Sequence, residues 1–238
     1  MTDISLIDQA ALAWFLALWC GYTYYADSVK GKGRTLLTVM QKHREVWMVR
    51  MLSRENRISD ITILSTIMRS VGLFSSTTLF VLAGLLAILG AVDKAQLVVQ
   101  GLPFVEASTR LEWEFKVLLL LMIFIYAFFK FAWSLRQFNY ALFLVGAAPP
   151  PVDARLPTAI EFAHGTALIV SGGVLNFNRG VRAYYFGLAA LSWFLHPIVF
   201  AVVTVWVIAV VYRREFRSFT LSLLESIPEP ELHRGAQL

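Results

Sequence analysis

The run from Val71 to Val92 constrains this chain more than any other feature. It holds 22 consecutive residues with no charged side chain and no proline. Twelve are Leu, Ile, Phe or Val, each favouring insertion by about 0.3–0.6 kcal/mol at a helix centre. A helix of this length is roughly 33 Å long, against a hydrocarbon layer about 30 Å thick. In lipid every backbone N–H and C=O has to be satisfied internally, so the run predicts a membrane-spanning helix. Ser75, Ser76, Thr77 and Thr78 read as polar glue between helices. Ala83, Ala87 and Ala91, four apart, give a smooth face for close helix contact.

Three more runs follow the same logic. Leu6 to Tyr25 is aromatic-rich and carries Asp8 and Gln9 near its start. Its predicted span is 6–25, read as a retained first helix because Asp3 and Asp8, not basic residues, precede it. Lys116 and Lys130 enclose 13 uncharged residues, about 20 Å of helix, inside a predicted span of 117–136. Residues 183–212 form a fourth run of 30 without Asp, Glu, Lys or Arg, with a bend expected at Pro197. Charged residues make up 16% of the chain against 58% hydrophobic. A soluble domain carries about a quarter charged, and here the charges gather between the runs. The expected fold is all-α: a polytopic membrane helix bundle of about four transmembrane helices.

The connecting segments predict two interfacial amphipathic helices. In 34–60 the apolar positions Leu36, Leu37, Met40, Trp47, Met48 and Met51 recur at helical spacing among Lys42, Arg44, Arg50 and Arg54. This helix suits the cytoplasmic interface or a partner surface, or else packs on the protein's own core. In 158–175 a Thr158/Glu161 capping box opens a helix that Gly172 and Gly173 interrupt. Residues 228–238 read as a disordered tail beyond a membrane domain of 1–227.

Lys and Arg number nine in 26–70, three in 93–116, five in 130–182 and four in 213–238. With four spans, positive-inside favours both termini outside. That leaves Arg213 and Arg214 on the outer face. A fifth span within 156–178 would bring the C-terminus inside and remove the conflict. The net charge of +5 fits basic cytoplasmic loops facing anionic headgroups, so membrane lipids, not nucleic acid, are the expected partners.

The chain has a single cysteine, Cys20, and four histidines, His43, His164, His196 and His233. They form no recurring metal or catalytic motif, and there is no P-loop, no nucleophile elbow and no CxxC. No enzyme activity, cofactor or metal is expected. The weaker candidates are Glu161 with His164 on one helix face, for a lipid enzyme, and His196 as a haem ligand or interhelical hydrogen-bonding group. The informative polar patch is Lys130 with Ser134 and Gln137, which share a face at helical spacing. A cation inside the hydrocarbon costs about 2.5–3.5 kcal/mol. These residues therefore suggest an ion or polar pathway, with snorkelling of Lys130 to the headgroups as the alternative. A second set, Arg54, Asn56, Arg57, Asp60, Arg136, Asn139, Asn178 and Arg179, is expected to make interhelical polar contacts. Arg57 or Arg179 paired with Asp60 or Glu55 would lock helices on the cytoplasmic side. Solvated interfacial charge is the other reading of this set.

At Asn56-Arg57 with Asp60, Leu73 to Thr78, Trp133 to Tyr140 and Asn178 to Phe186 the chain resembles the domain of unknown function 599 family. The resemblance runs from the basic segment to Arg217. It implies a polytopic, mainly bacterial membrane protein and carries no established activity. The expectation is a multi-pass protein of the bacterial inner (cell) membrane. It would act as a homo-oligomeric channel-like or transport protein for a small ion, an anion before a cation, since four helices make a thin wall. The rival is an accessory or scaffold subunit of a larger membrane complex, suggested by the Met/Trp face and the aromatic first span.

Overall fold

A computed structural model describes residues 5–28, 35–101 and 109–227. The tail 228–238, Arg34 and His233 lie outside them. Among the described residues there are eight α-helices and no strands. They are α1 (Leu6–Ser28), α2 (Leu36–Leu52), α3 (Ile58–Gly90), α4 (Val92–Gln100), α5 (Arg110–Gly146), α6 (Pro157–Leu191), α7 (Pro197–Phe216) and α8 (Phe219–Ser226). Four stretches are long and apolar enough to cross a membrane: Ile58–Gly90, Arg110–Gly146, Pro157–Phe194 and Pro197–Ser226. The chain is a multi-pass membrane protein of all-α architecture.

The helices α3 and α5 extend beyond the predicted spans 71–92 and 117–136, and the division into elements differs from the sequence reading at three further places. The run 183–212 is not one bent span. Its first part completes α6, a 3-10 turn covers Ser192–Phe194, and α7 starts at Pro197. Proline has no N–H to donate and crowds the preceding turn, so a helix ends before it and a new one starts on it. The His196 ring assists, its Nδ1 accepting from the Ile198 N–H at 3.1 Å. The predicted interfacial helix 158–175 is not separate either. It runs without interruption through Gly172 and Gly173 into α6, and Pro157, not Thr158, takes the first helical position. The predicted helix 34–60 stops at Leu52, and α3 begins at Ile58. Between them Asn56 Oδ1 accepts from the Ile58 N–H at 2.9 Å, the role of a helix-capping side chain.

The chain divides into two compact units, and α3, α5, α6 and α7 contribute to both. The first holds residues 1–29, 74–131 and 178–212. Its core is aromatic. Phe15 packs on Phe186 and Phe200, and Trp193 stacks on Phe200 at 5.1 Å. Tyr184 meets Phe124 and Phe131 edge-on, and its hydroxyl lies 2.7 Å from that of Thr78. Thr78 is fully buried, as a polar group between membrane helices should be. Ala83, Ala87 and Ala91 are exposed.

Pairings at the two ends of this unit fix the helix directions. Asp8 of α1, Lys116 of α5 and Trp193 just after α6 meet at one end. Asp27 of α1 and Arg179 of α6 meet at the other. So α5 runs with α1, and α6 runs against both. The 18 residues of α1 between Asp8 and Asp27 carry no charge. Those two residues are about 28 Å apart along the helix, the thickness of the hydrocarbon.

The second unit holds residues 30–73, 132–177 and 213–238. Met48, Met51, Leu52, Leu64, Phe138 and Ala163 are buried in it, and α2 packs against α8. The Met/Trp face of α2 is therefore largely internal.

The α5–α6 pairing rests on glycine in both units. A Cβ at Gly180 would lie 2.5 Å from Phe131, and one at Gly187 would lie 3.0 Å from Phe124. In the second unit a Cβ at Gly173 would lie 3.0 Å from Phe138, and one at Gly172 would lie 2.5 Å from Gln137 Nε2. Phenylalanines seven apart on α5 face glycines seven apart on α6. Small residues of this kind let membrane helices approach closely.

Candidate functional site

Among the described residues, the buried charged groups of the first unit, Asp8, Lys116 and Arg182, lie towards its two ends. At the end with the start of α1, Asp8 accepts from Trp193 Nε1 at 2.6 Å. Lys116 Nζ lies 3.8 Å from Asp8 and 5.5 Å from the centre of the Trp193 ring. Both charged side chains are buried. The pair closes a charge balance between α1 and α5 that sequence spacing alone did not reveal.

The other end is different in kind. Asp27, one residue before the end of α1, accepts from Arg179 Nε at 2.9 Å and from its Nη2. Arg182, one turn along α6, sits 3.7 Å from the second Asp27 oxygen. Its guanidinium carbon lies 5.3 Å from the Tyr22 ring centre. Lys130 of α5 lies 5.3 Å from the Tyr126 ring centre, within electrostatic reach of Arg179 and Asp27. Arg182 is 3% exposed. Among the described residues, three cations, Lys130, Arg179 and Arg182, thus gather around the Asp27 carboxylate. Aromatic faces supply part of the missing negative potential, each worth about 0.5–2 kcal/mol. The surplus positive charge in a partly desolvated place favours an added anion.

The other sequence candidates fall as follows. Ser134 is fully buried and donates to the Gly173 carbonyl at 2.7 Å. Gln137 Oε1 accepts from Asn176 Nδ2 at 2.8 Å. Both groups join α5 to α6 within the second unit. Arg57 and Arg179 do not pair with Asp60 or Glu55. Asp60 is buried, paired with Arg54, and accepts from Trp47 Nε1 at 2.6 Å. Arg57 donates to the carbonyls of Ala148 and Pro149 at the end of α5. The chain reversal at Pro149–Pro151 leaves those carbonyls free of helical partners, and a guanidinium fork suits them. Arg136 and Asn139 are exposed, and Asn178 is half-buried. Glu161 is exposed and His164 half-buried on α6. The residues that sequence reasoning missed are Asp8, Lys116, Asp27 and Arg182. One signal was available: Asp8 and Asp27 are the only charges of α1 and sit one bilayer apart.

A family model described as a protein of unknown function, DUF599, matches residues 10–220. No curated protein and no solved structure matches the chain. The match covers most of the sequence, and the chain belongs to that family.

Proposed function

We propose that this family member is a homo-oligomeric, channel-like or transport protein for a small anion in a bacterial cell membrane, with no enzymatic step. The observation that carries the reading is the surplus of cations at one end of the first unit. Among the described residues, Lys130, Arg179 and Arg182 gather around Asp27. A bound anion would lower the mutual repulsion of these cations, and only a modest site affinity lets it leave again. A pathway would form between copies, because the interior of the single unit is filled by aromatic rings. The exposed Ala83, Ala87 and Ala91 leave a smooth surface for a second copy.

The accessory-subunit reading loses one of its two motives. Met48 and Met51 are buried in the chain's own second unit, and Trp47 is bonded to Asp60. The exposed Trp14, Tyr24 and Tyr25 of α1 remain to support it.

The test is chloride and nitrate flux into liposomes containing purified protein. Lys130 is half-exposed, so Lys130→Met should insert and elute normally. We expect measurable flux from the native protein and at least tenfold less from Lys130→Met. Absence of flux for every small anion tried, or native flux from Lys130→Met, overturns the proposal. A stoichiometric foreign partner after mild-detergent purification would favour the accessory subunit instead.

A further inference from the structure

We propose that a pocket at Arg44, in the second unit, binds a small organic carboxylate with an apolar body. Arg44 lies on α2 and is 9% exposed. Its Nε donates to Ser171 Oγ at 2.9 Å and its Nη2 to the Leu37 carbonyl at 3.4 Å. Both acceptors are neutral. The adjacent carboxylate, Glu45, accepts from Gln41 Nε2 at 3.1 Å and forms no ion pair with Arg44. Burial pushes the guanidinium down to about 10, partly opposed by the charge of Glu45. It is still a cation at neutral pH, largely buried, and no carboxylate among the described residues lies at bonding distance.

A buried charge of this kind is costly unless it is paired. A carboxylate matches the planar fork of the guanidinium and would make the strong, charge-assisted bonds that Ser171 and Leu37 do not supply. The cavity beside Arg44 measures about 250 Å³ and is lined by Gln41, Arg44, Ser171, Leu37, Leu168 and Leu175 among others. That is slightly below the usual range of small-molecule sites, roughly 300–1,000 Å³, so the ligand is small. One cation calls for one negative charge. Three leucines reward an apolar body and offer nothing to a strongly hydrated dianion such as phosphate. Ser171 accepts from Arg44, which leaves its own hydroxyl proton free to donate to the second carboxylate oxygen.

The test uses full-length protein in nanodiscs and four probes: benzoate, its neutral isostere benzamide, acetate and inorganic phosphate. Equilibrium dialysis should show saturable benzoate binding, with benzamide and acetate each at least tenfold weaker and phosphate unable to compete. Arg44→Met should lower benzoate affinity at least tenfold. A second readout keeps the native arginine. In a Cys20→Ala background, a cysteine placed by Gln41→Cys should react severalfold more slowly with a thiol reagent when benzoate is present. Equal binding of benzamide would remove the charge recognition. Competition by phosphate would remove the apolar half. Failure of benzoate to bind and to protect overturns the site.

Discussion

Asp60 is fully buried and is held by two donors, the Arg54 guanidinium and the Trp47 indole. Its neighbourhood, Arg54-Glu55-Asn56-Arg57-Ile58-Ser59-Asp60, marked it as a candidate for helix-to-helix contact, with Arg57 or Arg179 as partner. The structure pairs it instead with Arg54 and with the Trp47 indole. Partner choice depends on where α2 stops, which is Leu52 and not residue 60 as the spacing of apolar positions suggests. The Asp60 side chain has no exposure, whereas that of Arg54 is 40% exposed. Removing the carboxylate therefore frees a cation that can reach water, which limits the cost. Asp60→Ala should destabilise by about 1–3 kcal/mol, mainly through the buried hydrogen bond to Trp47. Arg54→Ala should cost about 1 kcal/mol or less. Unfolding of both single variants and the double variant in mixed micelles gives the coupling directly. A neutral Asp60→Ala would contradict the contact. Arg57 gives the complementary lesson. Its target is backbone, the carbonyls of Ala148 and Pro149, which no pairing of charges in sequence can indicate.

At the scale of elements, the uncharged runs were legible because lipid imposes them. Val71 to Val92 lies almost wholly within α3, and the predicted 117–136 lies within α5. What was not legible was α6. Gly172 and Gly173 read as breakers, and the helix was divided there. In a packed membrane helix glycine does another job: it removes a Cβ where the neighbouring side chain has to sit. The signal existed as Phe124, Phe131 and Phe138 against Gly173, Gly180 and Gly187, but it appears only when two distant segments are compared. The two roles of glycine can be separated by mutation. Gly180→Ala puts a Cβ 2.5 Å from the Phe131 ring, while at Gly165 a Cβ meets nothing within 4 Å. Overpacking predicts a loss of about 1–3 kcal/mol for Gly180→Ala. Helix propensity predicts a gain of up to about 1 kcal/mol for Gly165→Ala. Unfolding midpoints of the two variants decide the matter, and equal effects would contradict the close α5–α6 packing.

At the scale of the whole molecule, four stretches are long and apolar enough to cross the membrane, and α1 is expected to cross as a fifth, the directions alternating along the chain. The end-to-end pairings of Asp8 with Lys116 and Trp193, and of Asp27 with Arg179, follow from that alternation. It also removes the conflict left by four spans, since an odd number of crossings returns Arg213, Arg214 and Arg217 to the cytoplasmic side. Impermeant thiol labelling of intact cells tests this most directly. With Cys20→Ala as background, single cysteines are placed at Ser53, Gly101, Arg155, Leu195 and Arg217. Five crossings with the N-terminus outside predict labelling at Gly101 and Leu195, and none at Ser53, Arg155 or Arg217 until the cells are opened. Labelling of Arg217 in intact cells, with Leu195 protected, would show that α6 does not cross, and would contradict the account.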